Sequence, residues 1–408
     1  KGGKLDARGS YYYARELLAH KRYAQAVEAF EAFLAMPDGW TENKIDACLG
    51  LSQALTALGA EIRTENGVTY VKGIEKAPEY AEINCRESGS TLRFIIPVAA
   101  ALGVEAVFTG CGKLPTRPIT PYLEQFPKHG VKFVSDTLPY HIKGKLDSGV
   151  YPVTGDISSQ FITGLMFAMP LLEGSSTIQL TSPLQSKPYA DITVHCMRDF
   201  GIETLEFNGN YSIKGVQQFK PAKYSVEGDC SQAAFFAVAN ALGSSIDIVG
   251  INPASVQGDR EVFSIIDNMI TINGSYSGFD VDASDIPDLV PILTVLASFA
   301  EGDSHIRGCK RLRIKESDRL VSISTVLNSL GANVRIVNDE LEITGVRELS
   351  GGVCSSFNDH RIAMSLAIAS QRCTSTLTIT NAECVAKSYP TFFEDFRALG
   401  GEYDVVIV

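Results

Sequence analysis

Hydrophobic and polar positions recur along the chain in a fixed order. An apolar stretch with helical spacing ends near a glycine, and a short alternating stretch then leads into a predicted β-hairpin. The three clearest copies begin at Ala54, Tyr122 and Cys196. Their pivot glycines, each 71 residues after the one before, are Gly59, Gly130 and Gly201. Because a helix commonly ends in the left-handed conformation, glycine suits these pivots, and the pattern predicts an internal repeat.

Weaker copies of the unit follow in the second half of the chain. They begin at Ile265, Val326 and Phe396. Six units predict two domains of three units each, which meet at the polar stretch VQQFKPAKYS around residues 215–225. Each unit contains both helices and strands, so the predicted fold class is α/β (α+β). We expect a first lobe over residues 51–216 and a second lobe over residues 217–408.

Polar residues precede several of the predicted helices. The predicted helix starts lie at Ser88, Ser158, Asp229 and Asn358. The first turn of a helix presents unpaired N–H groups and the positive end of the helix dipole, which suit phosphate or carboxylate.

Residues 8–40 do not follow the repeat. The segment YYYARELLAHKRYAQAVEAFEAFLAMP reads as a helical hairpin with the spacing of a tetratricopeptide repeat, carried by Tyr23, Ala26, Phe30, Phe33 and Pro37. A single such repeat cannot cover its own apolar face. We therefore expect residues 1–50 to be a helical hairpin that packs on the first lobe. A partner-binding helical module and a fused segment are the alternatives.

Composition and charge narrow the function. With 408 residues, 45% hydrophobic and 20% charged, the chain is long enough for two soluble domains. It has no apolar run of about 18–20 residues, and its first residues lack the apolar core of a signal peptide. Nine scattered cysteines without a CxxC spacing predict neither a disulfide framework nor a zinc site, which favours a cytoplasmic protein.

The net charge of −11 makes nucleic acid and anionic membranes poor partners. Local clusters of cations are therefore informative. They lie in the segments RESGSTLR, KLPTRPI, QSKPYADI, RLRIKESDRL, FNDHRIAM and VAKSYP, beside the hydroxyl-rich GDISSQF. Guanidinium, amide and hydroxyl groups at several helix starts predict a site for small anionic ligands.

These segments also carry a family resemblance. In this order, GDISSQFITGLM, QSKPYADIT, DIPDLVPIL, RIKESDRL, NDHRIAM and AKSYP resemble the signature segments of the EPSP synthase (3-phosphoshikimate 1-carboxyvinyltransferase) family. The resemblance runs from about residue 50 to residue 395. It implies two domains, each of three βαβαββ units. It also implies transfer of the enolpyruvyl group of phosphoenolpyruvate to the 5-hydroxyl of shikimate 3-phosphate, without a metal or organic cofactor.

The resemblance implies a role for individual residues. Asp288 would be the base near the accepting hydroxyl, with a helix N-cap as its alternative role, and Glu316 would be the acid that handles the methylene proton. The implied contacts of shikimate 3-phosphate are Ser158, Ser159, Gln160, Ser186, Tyr189, Asp288 and Lys315. The implied contacts of phosphoenolpyruvate are Gly89, Arg117, Gln160, Arg319, Arg361 and Lys387. For Tyr189, packing in the core is the competing prediction.

The first motif of the family, a lysine flanked by serines in a turn that opens a helix, has no match in residues 1–50. Neither Lys4, Lys21 nor Lys44 lies in such a turn. Losing a charge-assisted contact to both substrates removes about 2–5 kcal/mol, so we expect a rate lowered by about 30-fold to a few thousand-fold. Arg311, where relatives often carry Asn, is a smaller departure.

Two alternatives remain at this point. One is the related reaction on a UDP-amino sugar, which SSQF and SKPY disfavour. The other is a catalytically inactive scaffold of the same fold, whose N-terminal helical hairpin binds a protein partner. Apart from that alternative, we expect a monomer whose partners are its two small anionic substrates.

Overall fold

The computed structural model describes residues 51–66, 68–272 and 275–406, without the side chains of residues 271, 272 and 275. The helical hairpin predicted in residues 1–50 lies outside the described residues. The chain divides into a large unit, Gly50–Ala382, and a small unit that includes Glu383–Val408. No helix of the described residues is both long and apolar enough to cross a membrane.

The large unit begins with a helix and a hairpin and continues with a complete βαβαββ unit. Its first elements are α1 (51–57), β1 (Glu61–Glu65) and β2 (Val68–Lys72). The complete unit consists of β3 (Tyr80–Asn84), α2 (Gly89–Leu102), β4 (Glu105–Thr109), α3 (Thr120–Gln125), β5 (Val131–Ser135) and β6 (Tyr140–Gly144). Its sheet has the order β3-β4-β6-β5, in which β3 and β4 are parallel and the other pairs antiparallel.

The same arrangement occurs twice more. The second complete unit consists of β7 (Val150–Val153), α4 (Gln160–Ala168), β8 (Ser176–Leu180), α5 (Lys187–Asp199), β9 (Thr204–Phe207) and β10 (Asn210–Ile213). The third is formed by β13 (Asp280–Asp282), α8 (Val290–Ser298), β14 (Asp303–Arg307), α9 (Arg319–Ser329), β15 (Asn333–Val337) and β16 (Glu340–Thr344). Their sheets have the orders β7-β8-β10-β9 and β13-β14-β16-β15. The predicted α/β fold with repeated units is confirmed.

The remaining elements follow parts of the same βαβαββ order. Between the second and third units lie α6 (Cys230–Ala241), α7 (Glu261–Asn268), β11 (Thr271–Ile272) and β12 (Ser275–Tyr276). After the third unit follow β17 (Gly352–Ser355), α10 (His360–Ala369) and β18 (Leu377–Thr380). The small unit contributes α11 (Phe392–Ala398). The lobe boundary between residues 216 and 217 stays a prediction.

The pivot glycines adopt the conformation that the repeat predicts. Gly59 has a φ of 105°, and Gly130 and Gly201 each have 83°. At Gly130 an added Cβ would lie 2.6 Å from the carbonyl oxygen of Lys145, so both the φ and the space require glycine. The glycine is therefore needed where each helix turns into its strand.

All four predicted turns precede a helix, and in two of them the capping position is the second residue of the turn. Ser88 and Asp229 cap α2 and α6 through their side chains, as predicted. In the other two helices the capping position is Ser159, before α4, and Asp359, before α10. Asn358 instead has a φ of 55°, so the chain turns there and the helix begins one residue later.

Buried helices form the core of each half of the large unit. Helix α2 packs against α4, and Gly164 of α4 allows this because a Cβ there would lie 2.2 Å from the carbonyl oxygen of Arg93. In the second half α8 packs against α6 and α10, and every residue from Val290 to Ser298 is buried. A helix that is apolar on all sides suits such a central position. The first turns of the helices around these cores carry the functional side chains.

Candidate active site

Arg319, the first residue of α9, is the centre of a buried charge cluster. It is 1% exposed. Its Nε donates to Asp359 Oδ2, its Nη1 to Asp288 Oδ1 and its Nη2 to Glu316 Oε2, each at 2.8 Å. A guanidinium has five N–H donors in a fixed plane, so one arginine can bind three carboxylates. Asp359 is the carboxylate that sequence reasoning missed, although it lies within the NDHRIAM segment.

Asp288 lies in the turn Pro287–Leu289 that precedes α8. Besides Arg319, it accepts hydrogen bonds from Lys315 Nζ at 3.3 Å and Arg361 Nη2 at 3.0 Å. Burial by itself would raise the pKa of Asp288, but the charges of Arg361, Lys315 and Arg319 outweigh it and hold the pKa well below 3.8. Asp288 is therefore an ionised carboxylate. The N-cap alternative is wrong, because Leu289 occupies the N-cap position of α8 and no side chain caps that helix.

Glu316 joins this cluster to the first half of the chain. Its Oε2 accepts from Arg319, and its Oε1 lies 3.6 Å from Arg117 Nη1. Burial opposes ionisation, but Arg319, Arg117 and Lys315 together lower the pKa of Glu316 below its ordinary value. Anionic ligands on these cations would weaken their pull on Glu316 and raise its pKa. The arrangement therefore makes the acidity of Glu316 dependent on what its cationic partners bind.

Gly89 and Arg117 lie side by side at the start of α2. A Cβ added to Gly89 would lie 2.9 Å from Arg117 Nη1, so only glycine leaves the guanidinium in place. Ser88 caps the helix by accepting from the backbone N–H of Thr91. An anion held by Arg117 would consequently lie against a helix N-terminus, where N–H groups are unpaired.

We expect Gly89→Ala to displace the Arg117 guanidinium and to weaken phosphoenolpyruvate binding, because its new methyl group occupies the space of Nη1. The expected result is a KM for phosphoenolpyruvate raised about tenfold, which corresponds to about 1.4 kcal/mol. Steady-state kinetics with each substrate varied in turn measures it. Gly73→Ala is the control, since no atom lies within 4 Å of its added Cβ. An unchanged KM in Gly89→Ala would contradict the expectation.

Gln160 is oriented by a buried arginine that the sequence analysis did not select. Arg93 Nη1 donates to Gln160 Oε1 at 2.7 Å, and Gln160 Nε2 donates to Ser90 Oγ at 2.8 Å. Burial lowers the pKa of Arg93 to about 10, and the neighbouring Arg117 charge adds to this, so it stays charged at neutral pH. These two contacts determine which end of the amide is the donor.

The predicted phosphate-binding serines lie on two adjoining loops. The backbone N–H of Gln185 donates to the carbonyl oxygen of Gly155 at 3.0 Å, which joins the loop before Ser158 and Ser159 to the loop before Ser186. Ser186 Oγ accepts from Arg311 Nη2 at 2.5 Å. Within the described residues the buried Arg311 side chain makes no ion pair. Arg311 Nη2 also donates to the carbonyl oxygen of Ser284 at 2.9 Å, and a buried guanidinium beside Ser186 favours an anion at this position.

The structure thus brings most of the predicted site residues into one connected region. Its second-half members are Asp288, Lys315, Glu316, Arg319 and Arg361, and Arg117 joins them through Glu316. Tyr189 donates from its hydroxyl to Asp259 Oδ2 at 3.0 Å. Lys387 ends the short helix Ala382–Lys387, and its role at the site stays a prediction.

Comparison with known proteins identifies the family. The profile of EPSP synthase (3-phosphoshikimate 1-carboxyvinyltransferase) matches residues 44–396. The 3-phosphoshikimate 1-carboxyvinyltransferase of Clostridium kluyveri is 45% identical over 368 residues, 86% of either chain, and that of Clostridium perfringens is 44% identical over the same share. The solved EPSP synthase of Acinetobacter baumannii is 25% identical and has a TM-score of 0.72, covering 86% of this chain and 87% of its own. The chain therefore belongs to the EPSP synthase family.

Proposed function

We propose that the chain transfers the enolpyruvyl group of phosphoenolpyruvate to the 5-hydroxyl of shikimate 3-phosphate and releases phosphate. The observation that carries the proposal is the buried cluster in which Arg319 holds Asp288, Glu316 and Asp359 together. The names and 44–45% identity of the relatives support the transferase over the inactive scaffold. The match to the EPSP synthase profile likewise disfavours the UDP-amino sugar reaction.

The two substrates bind to different parts of the region in this proposal. Ser158, Ser159 and Ser186, in the lobe of residues 51–216, hold the 3-phosphate through hydroxyl donors. Tyr189 lines the shikimate ring, and Lys315 contacts its hydroxyls. Arg319, Arg361 and Lys387, in the lobe of residues 217–408, together with Arg117 beside Gly89, hold phosphoenolpyruvate. Gln160 contacts both ligands. Positioning two anions in register supplies a large part of the rate enhancement of such a reaction.

The chemical step needs one base and one acid. Asp288 takes the proton of the 5-hydroxyl, whose oxygen forms a bond to C2 of phosphoenolpyruvate, while Glu316 donates a proton to C3. The resulting tetrahedral intermediate then returns a proton from C3 to the Glu316 carboxylate, and its C2–O bond to phosphate breaks to release phosphate. Arg319 contacts both carboxylates and therefore keeps the two groups at a fixed separation.

Phosphate release from the two substrates tests the proposal. The purified chain is incubated with phosphoenolpyruvate and shikimate 3-phosphate, and phosphate and the enolpyruvyl product are both quantified. Turnover that requires both substrates is the expected result. The absence of product together with an unchanged melting temperature at millimolar concentrations of either substrate would contradict it. The turnover number kcat from the same assay also tests the lowered rate that we predict from the unmatched first motif.

We expect Arg361→Ala to weaken phosphoenolpyruvate binding by at least about tenfold, as loss of a charged hydrogen-bond donor costs about 1.5–3 kcal/mol. Binding of shikimate 3-phosphate is expected to change less than threefold. Titration calorimetry with each ligand measures both affinities. Arg372→Ala is the control, because within the described residues this half-buried arginine donates to the carbonyl oxygen of Arg347 and lies over Phe299, away from the Arg319 cluster. An equal loss for both ligands would contradict the assignment of Arg361.

A further inference from the structure

The start of α5 contacts the second half of the chain along a continuous line. The backbone N–H of Ser186 donates to the carbonyl oxygen of Ser284 at 3.1 Å, and that of Lys187 donates to Asp285 Oδ1 at 3.0 Å. We call the contact of residues 186–189 with residues 258–259 and 284–285 the α5 seam. It places Ser186 and Tyr189, two predicted contacts of shikimate 3-phosphate, against the opposite half.

Gly258 allows the two sides of the α5 seam to lie in close contact. A Cβ added to Gly258 would lie 2.8 Å from both Cβ and Cγ of Pro188. Real Cβ atoms do not approach other carbons this closely, so any larger residue would push the two halves apart. The position after Gly258 is Asp259, and the position after Pro188 is Tyr189. The tight contact therefore brings these two side chains together.

Asp259 is a buried carboxylate with a single hydrogen-bond partner. It is 4% exposed, and its Oδ2 accepts from the Tyr189 hydroxyl at 3.0 Å. Within the described residues, its Oδ1 is buried without a hydrogen-bond partner, and no lysine or arginine forms an ion pair with it. A carboxyl group in this position does not stabilise the fold through charge pairing.

Some of the charged groups around Asp259 raise its pKa and others lower it. The pKa of Asp259 is raised to about 6, first by burial and then by the carboxylates of Asp288 and Asp229. The Arg361 charge and the hydrogen bond from Tyr189 lower it. A carboxyl group that costs stability when ionised, close to the predicted base, is a candidate for a functional role.

We propose that Asp259 is a positioning residue, which holds the Tyr189 hydroxyl across the α5 seam and thereby fixes the Tyr189 ring against the bound shikimate ring. The inference rests on the proposed function and deepens it. A phenol whose hydroxyl is hydrogen-bonded has fewer accessible ring orientations than one whose hydroxyl has lost its partner. Shikimate 3-phosphate would then lose a preformed surface, and its binding would pay for ordering the ring.

The test compares variants that remove either end of this hydrogen bond. Asp259→Leu removes the acceptor and Tyr189→Phe removes the donor, and each is expected to raise the KM for shikimate 3-phosphate about 3- to 10-fold. The KM for phosphoenolpyruvate is expected to stay within twofold. Asp259→Asn keeps an acceptor oxygen of the same size and is expected to restore the KM to within about threefold of the unmodified chain. In the Tyr189→Phe, Asp259→Leu double variant, the KM for shikimate 3-phosphate should be no higher than in the more impaired single variant, since both changes remove the same hydrogen bond.

Gly258→Ala tests the geometry without touching either polar group. It is expected to widen the α5 seam and to give the same selective rise in the KM for shikimate 3-phosphate. Gly73→Ala serves again as the control with free space around its added Cβ. The melting temperature of every variant shows that it is folded.

The outcomes separate this inference from the proposed function. If the unmodified chain turns over but Asp259→Leu and Tyr189→Phe keep its KM values, or raise both KM values together, the positioning role is wrong. If the unmodified chain does not turn over, calorimetry with shikimate 3-phosphate replaces the KM. A selective loss of affinity in the two variants then supports Asp259 although the proposed function fails, and equal affinities, or no binding by any of them, overturn the positioning role as well.

Discussion

Glu316→Gln is expected to lower kcat by about 10²- to 10⁴-fold, the range typical of a lost general acid. Glutamine keeps the size of the side chain and an oxygen that can accept from Arg319, but it has no proton to donate to the methylene carbon. The KM values for both substrates are expected to change less than fivefold. Steady-state and single-turnover measurements of phosphate release distinguish the chemical step from binding.

The matched control for this variant is Glu342→Gln. Glu342 lies on β16 and pairs with the exposed Arg335, and it is not one of the carboxylates that Arg319 contacts. A Glu316→Gln variant that retains kcat within threefold would exclude Glu316 as the acid. The pKa of Glu316 is lowered by Arg319 and Arg117 in the absence of ligands, so a working acid also requires that substrate anions weaken both interactions.

Arg319→Leu is expected to reduce the free energy of unfolding by about 3–5 kcal/mol, because it leaves buried carboxylates without their shared cation. The side chain of Arg319 is 2% exposed, and its three partners are also largely buried. Urea unfolding at pH 7 measures the change. We also expect this variant to lose phosphoenolpyruvate binding, since a predicted contact of that substrate is removed.

Arg335→Leu is the control for stability. Its side chain is 70% exposed and pairs with Glu342 at the surface, so its removal is expected to cost less than about 1 kcal/mol. Equal losses in the two arginine variants would contradict a special role for the buried cluster.

The Arg319 cluster also predicts how stability depends on pH. The pKa values of Asp288, Glu316 and Asp359 are all lowered in the folded chain, mainly by cations that outweigh the effect of burial. Their charges therefore stabilise the fold fully above the unfolded pKa of about 4, and this stabilisation is lost progressively as the pH falls from there through the lower folded pKa values. The difference between the unmodified chain and Arg319→Leu should accordingly be larger at pH 7 than near pH 3.

The sequence by itself determined the repeat and the fold class, and it supplied the predictions of the site residues. The pivots at Gly59, Gly130 and Gly201 were predictable because a left-handed backbone at the end of a helix is a local requirement that glycine meets. The six family segments likewise predict individual site residues from the local sequence. Local rules predicted the Asn-Asp turn before α10 but not which of its residues caps the helix. Asp359 does so because the backbone at Asn358 is left-handed.

Only the tertiary structure decided which of these charges meet. Arg319 and Asp359 are 40 residues apart in the chain, and Tyr189 and Asp259 are 70 apart, so no local pattern pairs them. The same is true of the contact between Arg117 and Glu316, which joins the two halves. The pKa values depend on burial and on neighbours brought together by packing, and these are properties of the folded chain rather than of any segment.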